Sequence, residues 1–511
     1  MQEHHRLEKF CVYAVEGLTL VVLALLLVGS VLVTCRVYGG YEVVEYYPDS
    51  PLLHGLALLA LTAAGAAWAG RKRRQLPLRR TALLVGGLYL LWLLVTLLLP
   101  LSDQASCIRC ARELVTGNYS SWDPGGYAYR YPNQNGLILF FSLLYRIFGE
   151  ATGFAVQVLN IPAMGCGIWY LYQCGRKLWP QGIRPWMLWV LALCLPFTFY
   201  ITFVYGTVFG FAASMVACCQ VLAFLEKPQA GRLVKGGLAL ALAVQLKSNY
   251  SIVAVALVIL CLVLAADRRR WQHAVLAVSL AVFCLAGSRL VTGVIEGITS
   301  RQVGEGIPKL AWVEMGLQEG SRGAGWFNFY TTDTFAAYQG DSQAAGEAVK
   351  ADLAETLREM RENPADTVDF FARKILSMWC EPTFQSVWIQ EVKQSAIQPF
   401  AFVESLYQRD GILNAVYVAA CDVFQTFVYF FSLVWLVRGW RQNRLCQLLP
   451  AIIFLGGFLF HLAWEAKGQY SIFYFFLLVP YALQGFRACA LALAARWKKK
   501  MDNLKSGRRC V

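Results

Sequence analysis

The sequence predicts an all-α polytopic membrane protein of about 12 transmembrane helices, with an interfacial loop on the outer face and a small extracytoplasmic α segment. Three observations lead there. Of 511 residues, 57% are hydrophobic and only 15% charged, where a soluble chain carries about a quarter charged. Apolar runs long enough to cross a ~30 Å hydrocarbon core recur along the whole length. Basic residues gather in short loops between those runs, as the positive-inside rule expects.

The first apolar run, 11–33, is too long for a signal-peptide core and lacks a small-residue cleavage site, so no cleavable signal is expected. Spans fall near 11–34, 51–70, 81–100, 152–174, 185–203 and 206–226, then 232–248, 250–266, 272–295, 413–437, 445–463 and 471–494. Residues 1–80 form an N-terminal hairpin, and 81–295 form a core whose first outer loop is 101–151. An extracytoplasmic segment, 296–412, precedes the C-terminal helices 413–495 and a basic cytoplasmic tail, 496–511.

Parity orients these spans. Arg71-Lys72-Arg73-Arg74 with Arg79-Arg80, Arg176-Lys177 with Arg184, and Arg232 with Lys235 mark the inner side. So do Arg268-Arg269-Arg270, the set Arg438, Arg441 and Arg444, and Arg496 with Lys498-Lys499-Lys500. Loop 36–50, with Glu42, Glu45 and Asp49 against one Arg36, reads as outer. Twelve spans place both termini in the cytoplasm. The apolar stretch 137–148 is too short to cross and is expected to lie in the outer interface. The chain bends at Lys247-Ser248-Asn249-Tyr250, between two short helices. Such breaks often mark binding sites in membranes.

The net charge of +14 does not indicate nucleic acid. Segment 296–412 holds 17 acidic and 10 basic residues, a net of −7, which leaves +21 on the spans and their loops. Within that segment, 344–362 has helix-forming composition and must stop at Asn363-Pro364. Asp366 and Asp369 then open a helix reaching Trp379. Residues 316–328, rich in glycine and aromatics, read as an irregular loop.

Of 16 cysteines, most sit in apolar runs, where they pack as small hydrophobes. Cys107 and Cys110 form one C-x-x-C without the second pair a zinc site needs; on an oxidising face they offer a local disulfide.

Candidate chemistry lies on the outer side. Asp103 sits where a span leaves the bilayer, a costly place for a carboxylate and so a default functional site. Its bland role is to cap a short helix with Ser102. Tyr127, Tyr129 and Tyr131, with Gln134, suit sugar rings or, equally, an interfacial aromatic belt. Lys247 either snorkels or faces a lipid phosphate, with Asn249 and Tyr250 as donors. His461, Trp464, Glu465, Lys467, Gln469 and Tyr470 form a dense polar cluster between the last two spans. Glu465 and Lys467 either pair weakly at the surface or belong to a site. Arg289, inside a span, needs a partner: a lipid phosphate, Glu296 or Glu465. No phosphate-binding P-loop, dinucleotide fingerprint or nucleophile elbow is present. No inner loop is long enough for a cytosolic nucleotide-sugar domain, so an enzyme working outside would need a membrane-borne activated donor.

Leu101-Ser102-Asp103-Gln104 after a span, the later Tyr131-Pro132-Asn133-Gln134-Asn135-Gly136, and Trp464-Glu465-Ala466-Lys467-Gly468-Gln469-Tyr470 resemble bacterial GT-C glycosyltransferases over roughly residues 81–480. They are similar to the protein O-mannosyltransferase and aminoarabinose transferase group. The resemblance implies inverting transfer of a sugar, hexose or pentose, from a polyprenyl-phosphate carrier to an acceptor hydroxyl of a lipid, glycan or protein. It implies Asp103 as general base and Lys247, Tyr250, Arg289, Lys467 and Tyr470 at the donor phosphate. Gln104, Tyr131, Gln134 and Glu465 would bind substrate. No cofactor is implied; Asp-Gln stands where several relatives carry two acidic residues, which leaves a divalent metal open. The setting implied is a bacterial cell membrane. The rivals are a multi-pass transporter or flippase of lipid-linked glycans, expected to show paired halves with matching broken helices, and a non-catalytic scaffold.

Overall fold

The computed structural model describes residues 6–69 and 77–507. The basic cluster Arg71–Arg74 lies outside them. Ten helical stretches among the described residues are long and apolar enough to cross a membrane. The protein is an all-α, multi-pass membrane protein.

The ten correspond to spans expected from sequence. Two other expected spans take a different form. The stretch 185–203 breaks into short helices, Trp186–Ala192 and Leu195–Thr198, with a 3-10 turn after them. Pro196 sits in the first turn of the second short helix, where its missing N–H is tolerated but a continuous helix through it is not. The other, Ala230–Leu246, is a continuous helix of 17 residues.

In chain order, α1 (Arg6–Leu32) runs into a hairpin of β1 (Val33–Tyr38) and β2 (Val43–Pro48). The strands pair antiparallel, with Thr34 opposite Tyr47 and Tyr38 opposite Val43. Gly39-Gly40 makes the turn, Gly39 at φ +67, where a side chain would be strained. Then come α2 (Pro51–Ala69), α3 (Leu78–Thr96), α4 (Asp103–Thr116), α5 (Asn135–Phe148) and α6 (Thr152–Leu178). Next are α7 (Thr207–Glu226), α8 (Ala230–Leu246), α9 (Ser251–Arg268) and α10 (Trp271–Thr299). In the segment 296–412, the main helices are α11 (Lys309–Gly316), α12 (Ser342–Glu362) and α13 (Pro364–Trp379). The last three are α14 (Ile412–Gly439), α15 (Leu449–Ala463) and α16 (Gly468–Gly507).

The sequence signals for α12 and α13 are met. The Asp341 side chain caps α12, accepting from Gln343 N at 2.8 Å and Ala344 N at 3.1 Å. Pro364 then occupies the first turn of α13, where its missing N–H costs nothing. The chain breaks between α8 and α9 at Lys247, as the bend in the sequence indicated.

Helices α6, α7, α8 and α10 pack in series, and α9 joins α10 to α15. The N-terminal pair is built into the C-terminal helices: α1 packs on α14, and α2 on α16. At one end of the bundle, Glu16 is fully buried and accepts from Arg441 N (2.9 Å) and Asn443 Nδ2 (2.8 Å), while Glu8 meets Arg268 at 3.1 Å. At the other end, the β hairpin, loop 97–136, segment 296–412 and the turn between α15 and α16 lie together.

Candidate functional site

The site forms at that second end, from four segments distant in sequence. Asp103 opens α4. The chain leaving α3 is held extended by segment 394–396: Leu99 N donates to Gln394 O and Ala396 N to Leu97 O, each at 2.8 Å. Ser102 follows at φ +53, ψ −127, and makes no side-chain cap. A non-glycine residue there is strained, and the strain falls immediately before Asp103. The helix-cap role is therefore not what this pair performs.

Asp103 is solvent-exposed, yet it stands among the walls of a cleft. Burial by those walls raises its pKa and Glu42 adds to the rise, while Lys467 and the Tyr127 hydroxyl pull it down. Burial and the nearby Asp103 push Tyr131 up to about 12.

The turn between α15 and α16 supplies the charges facing Asp103. Lys467 Nζ lies 2.8 Å from Glu42 Oε1 and 5.6 Å from the centroid of the Trp388 ring. Burial works against the ammonium, but Glu42 and Glu465 outweigh it and raise its pKa. Burial pushes Glu465 up to about 7 against the pull of Lys467. The Tyr470 hydroxyl donates to Glu465 Oε2 at 3.2 Å.

Glu42, at the end of the hairpin turn, organises this corner. It is buried and sits at φ +58. Arg322 meets its other oxygen at 2.7 Å, and Gln385 Nε2 donates to Oε1 at 3.1 Å. Gln385 Oε1 accepts from Gln469 N at 3.0 Å, so the hairpin, segment 296–412 and the start of α16 share one network. Behind it the Glu381 carboxylate accepts from Thr383 and from the Gln385 backbone.

Lys247 forms a second cationic pole. It is buried, donates to Thr207 Oγ1 at 2.9 Å, and lies 5.7 and 5.6 Å from the Tyr205 and Tyr470 ring centroids. The backbone must pass close here: a Cβ on Gly206 would overlap the Leu246 carbonyl, and one on Gly136 the Gln245 carbonyl. Gln134 donates to the Tyr205 hydroxyl. An aromatic wall completes the cleft. Tyr127 and Tyr131 have centroids 5.0 Å apart, Tyr131 and Trp312 6.3 Å, and Trp312 stacks on Trp464 at 6.2 Å.

Asp103, Tyr131, Gln134, Lys247, Glu465, Lys467 and Tyr470 thus lie at the same end of the bundle. Three other candidates do different work. Gln104 is buried and its Oε1 accepts from Val204 N at 2.9 Å, tying α4 to the entry of α7. The Tyr250 hydroxyl is committed to the Thr207 carbonyl at 2.6 Å. Arg289 is exposed on α10 next to Ser288, which accepts from Gln245 Nε2 at 2.8 Å; among the described residues it forms no ion pair with Glu296 or Glu465. His461 is buried, stacks on Tyr470 at 5.5 Å, and has no hydrogen-bond partner on either nitrogen among the described residues. Cys107 and Cys110 are free thiols buried on one face of α4. Sequence reading passed over Arg322, Gln385, Tyr205 and Trp312 and counted Glu42 only as outer-loop acidity; their roles depend on long-range pairing.

No protein-family profile and no curated protein matches the sequence. Among solved structures, the chain is similar to the archaeal oligosaccharyltransferase AglB from Archaeoglobus fulgidus, in complex with an inhibitory peptide and a dolichol-phosphate. The TM-score is 0.41 and the identity 14%, over 83% of this chain and 52% of that one. The chain therefore spans about half the length of that structure.

Proposed function

We propose that this protein is a membrane glycosyltransferase that moves a sugar from a polyprenyl-phosphate carrier to an acceptor hydroxyl, with inversion, on the outer side of the membrane. The observation carrying this reading is a convergence of side chains: one exposed carboxylate, two lysines and an aromatic wall meet at one end of a membrane bundle.

Asp103 takes the proton of the acceptor hydroxyl as its oxygen attacks the anomeric carbon. The bond from that carbon to the phosphate oxygen breaks on the opposite face, and the polyprenyl phosphate leaves with its electron pair. Lys467 and Lys247 stabilise the growing charge, an electrostatic contribution that is large in a dry site. Arg289, exposed on α10, meets the carrier phosphate as it enters from lipid in this reading. Tyr131, Trp312 and Trp464 offer ring faces to the sugar. Gln134, Glu465 and Tyr470 offer hydrogen bonds to its hydroxyls. Gln104 and Tyr250 shape the site rather than touch substrate.

The test is transfer from a panel of radiolabelled polyprenyl-phosphate sugars, by purified protein in bilayers given membrane extract as acceptor. Wild type should release label and Asp103→Asn should lose at least a hundredfold, the scale of general-base catalysis. Full transfer by a folded Asp103→Asn protein would refute the base. No release from any donor would favour a transporter of lipid-linked glycans.

A further inference from the structure

A second polar cluster lies at the base of the β hairpin, opposite the end that carries Glu42. It draws on three separate parts of the chain. Thr34 stands on β1, Asp49 follows β2, His54 is in the first turn of α2, and Asp422 comes from α14. His54 Nε2 is 2.8 Å from Asp49 Oδ2 and 3.6 Å from Asp422 Oδ2. Thr34 Oγ1 is 2.8 Å and 3.1 Å from the same two oxygens. One donor atom from each of Asp49, His54 and Asp422 lies within 4.8 Å of the others, the one such group of metal-ligand side chains among the described residues.

We propose that Asp49, His54 and Asp422 bind a divalent cation of the zinc type. The ligand spacing fits. Tetrahedral ligands at ~2.0–2.1 Å from an ion stand ~3.3 Å apart, and the two imidazole separations, 2.8 and 3.6 Å, bracket that value. The charge balance points the same way. The two carboxylates draw on Thr34, one imidazole and, for Asp49 Oδ1, the Ser50 N–H at 2.6 Å. The hairpin guanidinium Arg36 donates to the Tyr38 hydroxyl at 2.8 Å and acts on Asp422 by charge, without an ion pair to it among the described residues.

Burial supplies the independent observation. Asp422 is 7% exposed and its Oδ1 has no partner among the described residues. A partnerless carboxylate oxygen inside a helix bundle is costly, and a cation within reach of the carboxylate removes that cost. The mixed nitrogen and oxygen set selects the metal. Imidazole with carboxylates suits zinc, whereas magnesium prefers an all-oxygen octahedron that keeps several waters. Thr34 or a water completes four-coordination. Bound there, the ion fastens the hairpin to α14.

The test uses untagged, purified protein dialysed against metal-free buffer, with metal content read by mass spectrometry. Wild type should retain about one zinc per chain. Asp422→Asn and His54→Gln should each retain at least tenfold less, while Asp103→Asn retains the full equivalent. If either the Asp422 or the His54 variant fails to fold, the wild type decides: stripping with a chelator should lower Tm, and added Zn2+ should restore it more effectively than Mg2+. A wild type with background metal and no zinc-dependent change in Tm would overturn the site and leave a shared proton between the carboxylates. Zinc retained equally by both variants would place the ion elsewhere.

Discussion

Lys467 Nζ lies 2.8 Å from Glu42 Oε1, which joins the turn before the last helix to a hairpin more than 400 residues earlier in the chain. Glu42 holds this position at φ +58, a conformation that costs an ordinary residue roughly 1 kcal/mol or more. The contact decides the electrostatics of the cleft, because Glu42 raises the Asp103 pKa and Lys467 lowers it.

A pH prediction follows from the sign of these effects. A general base acts deprotonated, and the Asp103 pKa is raised, first by burial and then by Glu42. Transfer is therefore lost, as pH falls, at a higher pH than for an ordinary carboxylate. In Glu42→Gln the raising charge is gone and Lys467, freed of Glu42, is shared only between Glu465 and Asp103. The acid limb of the pH–rate profile should move to lower pH. A limb that stays in place, or moves up, in a variant of normal Tm would contradict this arrangement.

Much of the frame was legible because it depends on composition. Long apolar runs gave ten of the expected spans, and helix-forming composition, Pro364 and the acids after it gave α12 and α13 almost to the residue. The lone Asp103, the bend at Lys247 and the polar turn at Glu465 and Lys467 stood out because charge is rare in such a chain. Glu42 did not. In sequence it counted only as outer-loop acidity, although Tyr38-Gly39-Gly40-Tyr41 between β-branched and aromatic residues is a hairpin signal. Its partners Arg322, Gln385 and Lys467 lie hundreds of residues away, and no local pattern reports such a pairing. Gln104 and Tyr250 show the converse: polar type marked them, but each side chain is taken up by a backbone group.

Gly206 offers a steric test of the cationic pole. A methyl there would overlap the Leu246 carbonyl; the carbonyl is backbone and a Cβ is fixed in place by its own backbone, so neither can rotate away. Gly206→Ala should push the α8 end from α7 and displace Lys247 from Thr207. Overpacking of this kind costs about 1–3 kcal/mol, so Tm should fall. Apparent affinity for the lipid donor should weaken more than turnover if Lys247 holds the phosphate. A variant with wild-type Tm and donor affinity would rule out the close approach.

Lys374 ties segment 296–412 to the cleft. It is 1% exposed, and its ammonium donates to the carbonyls of Gly316, Leu462 and Trp464. Two of these lie at the end of α15, where helix carbonyls lack internal partners. Burial pushes Lys374 down to about 7, yet three acceptors favour the three-donor ammonium. Lys374→Met strands all three carbonyls and should destabilise by about 2–4 kcal/mol. Trp464 should also loosen against Trp312, which thermal unfolding and tryptophan fluorescence would register. An unchanged Tm would mean that water replaces the amine.

Cys107 and Cys110 test the site from its buried side. Both are fully buried, and Cys107 Sγ lies 3.8 Å from the Tyr127 hydroxyl. Burial pushes Cys110 up to about 11 and raises Cys107 as well, with Asp103 adding to Cys107. The thiolate is the reactive form, so near neutral pH both should resist alkylation. A maleimide should modify neither cysteine in the folded protein, as read by mass mapping of peptides from α4, and both after denaturation without reductant. Rapid labelling in the folded state would place α4 differently. Thiols still blocked after denaturation would reveal a disulfide, and a helix carrying both cysteines on one buried face would have to be redrawn.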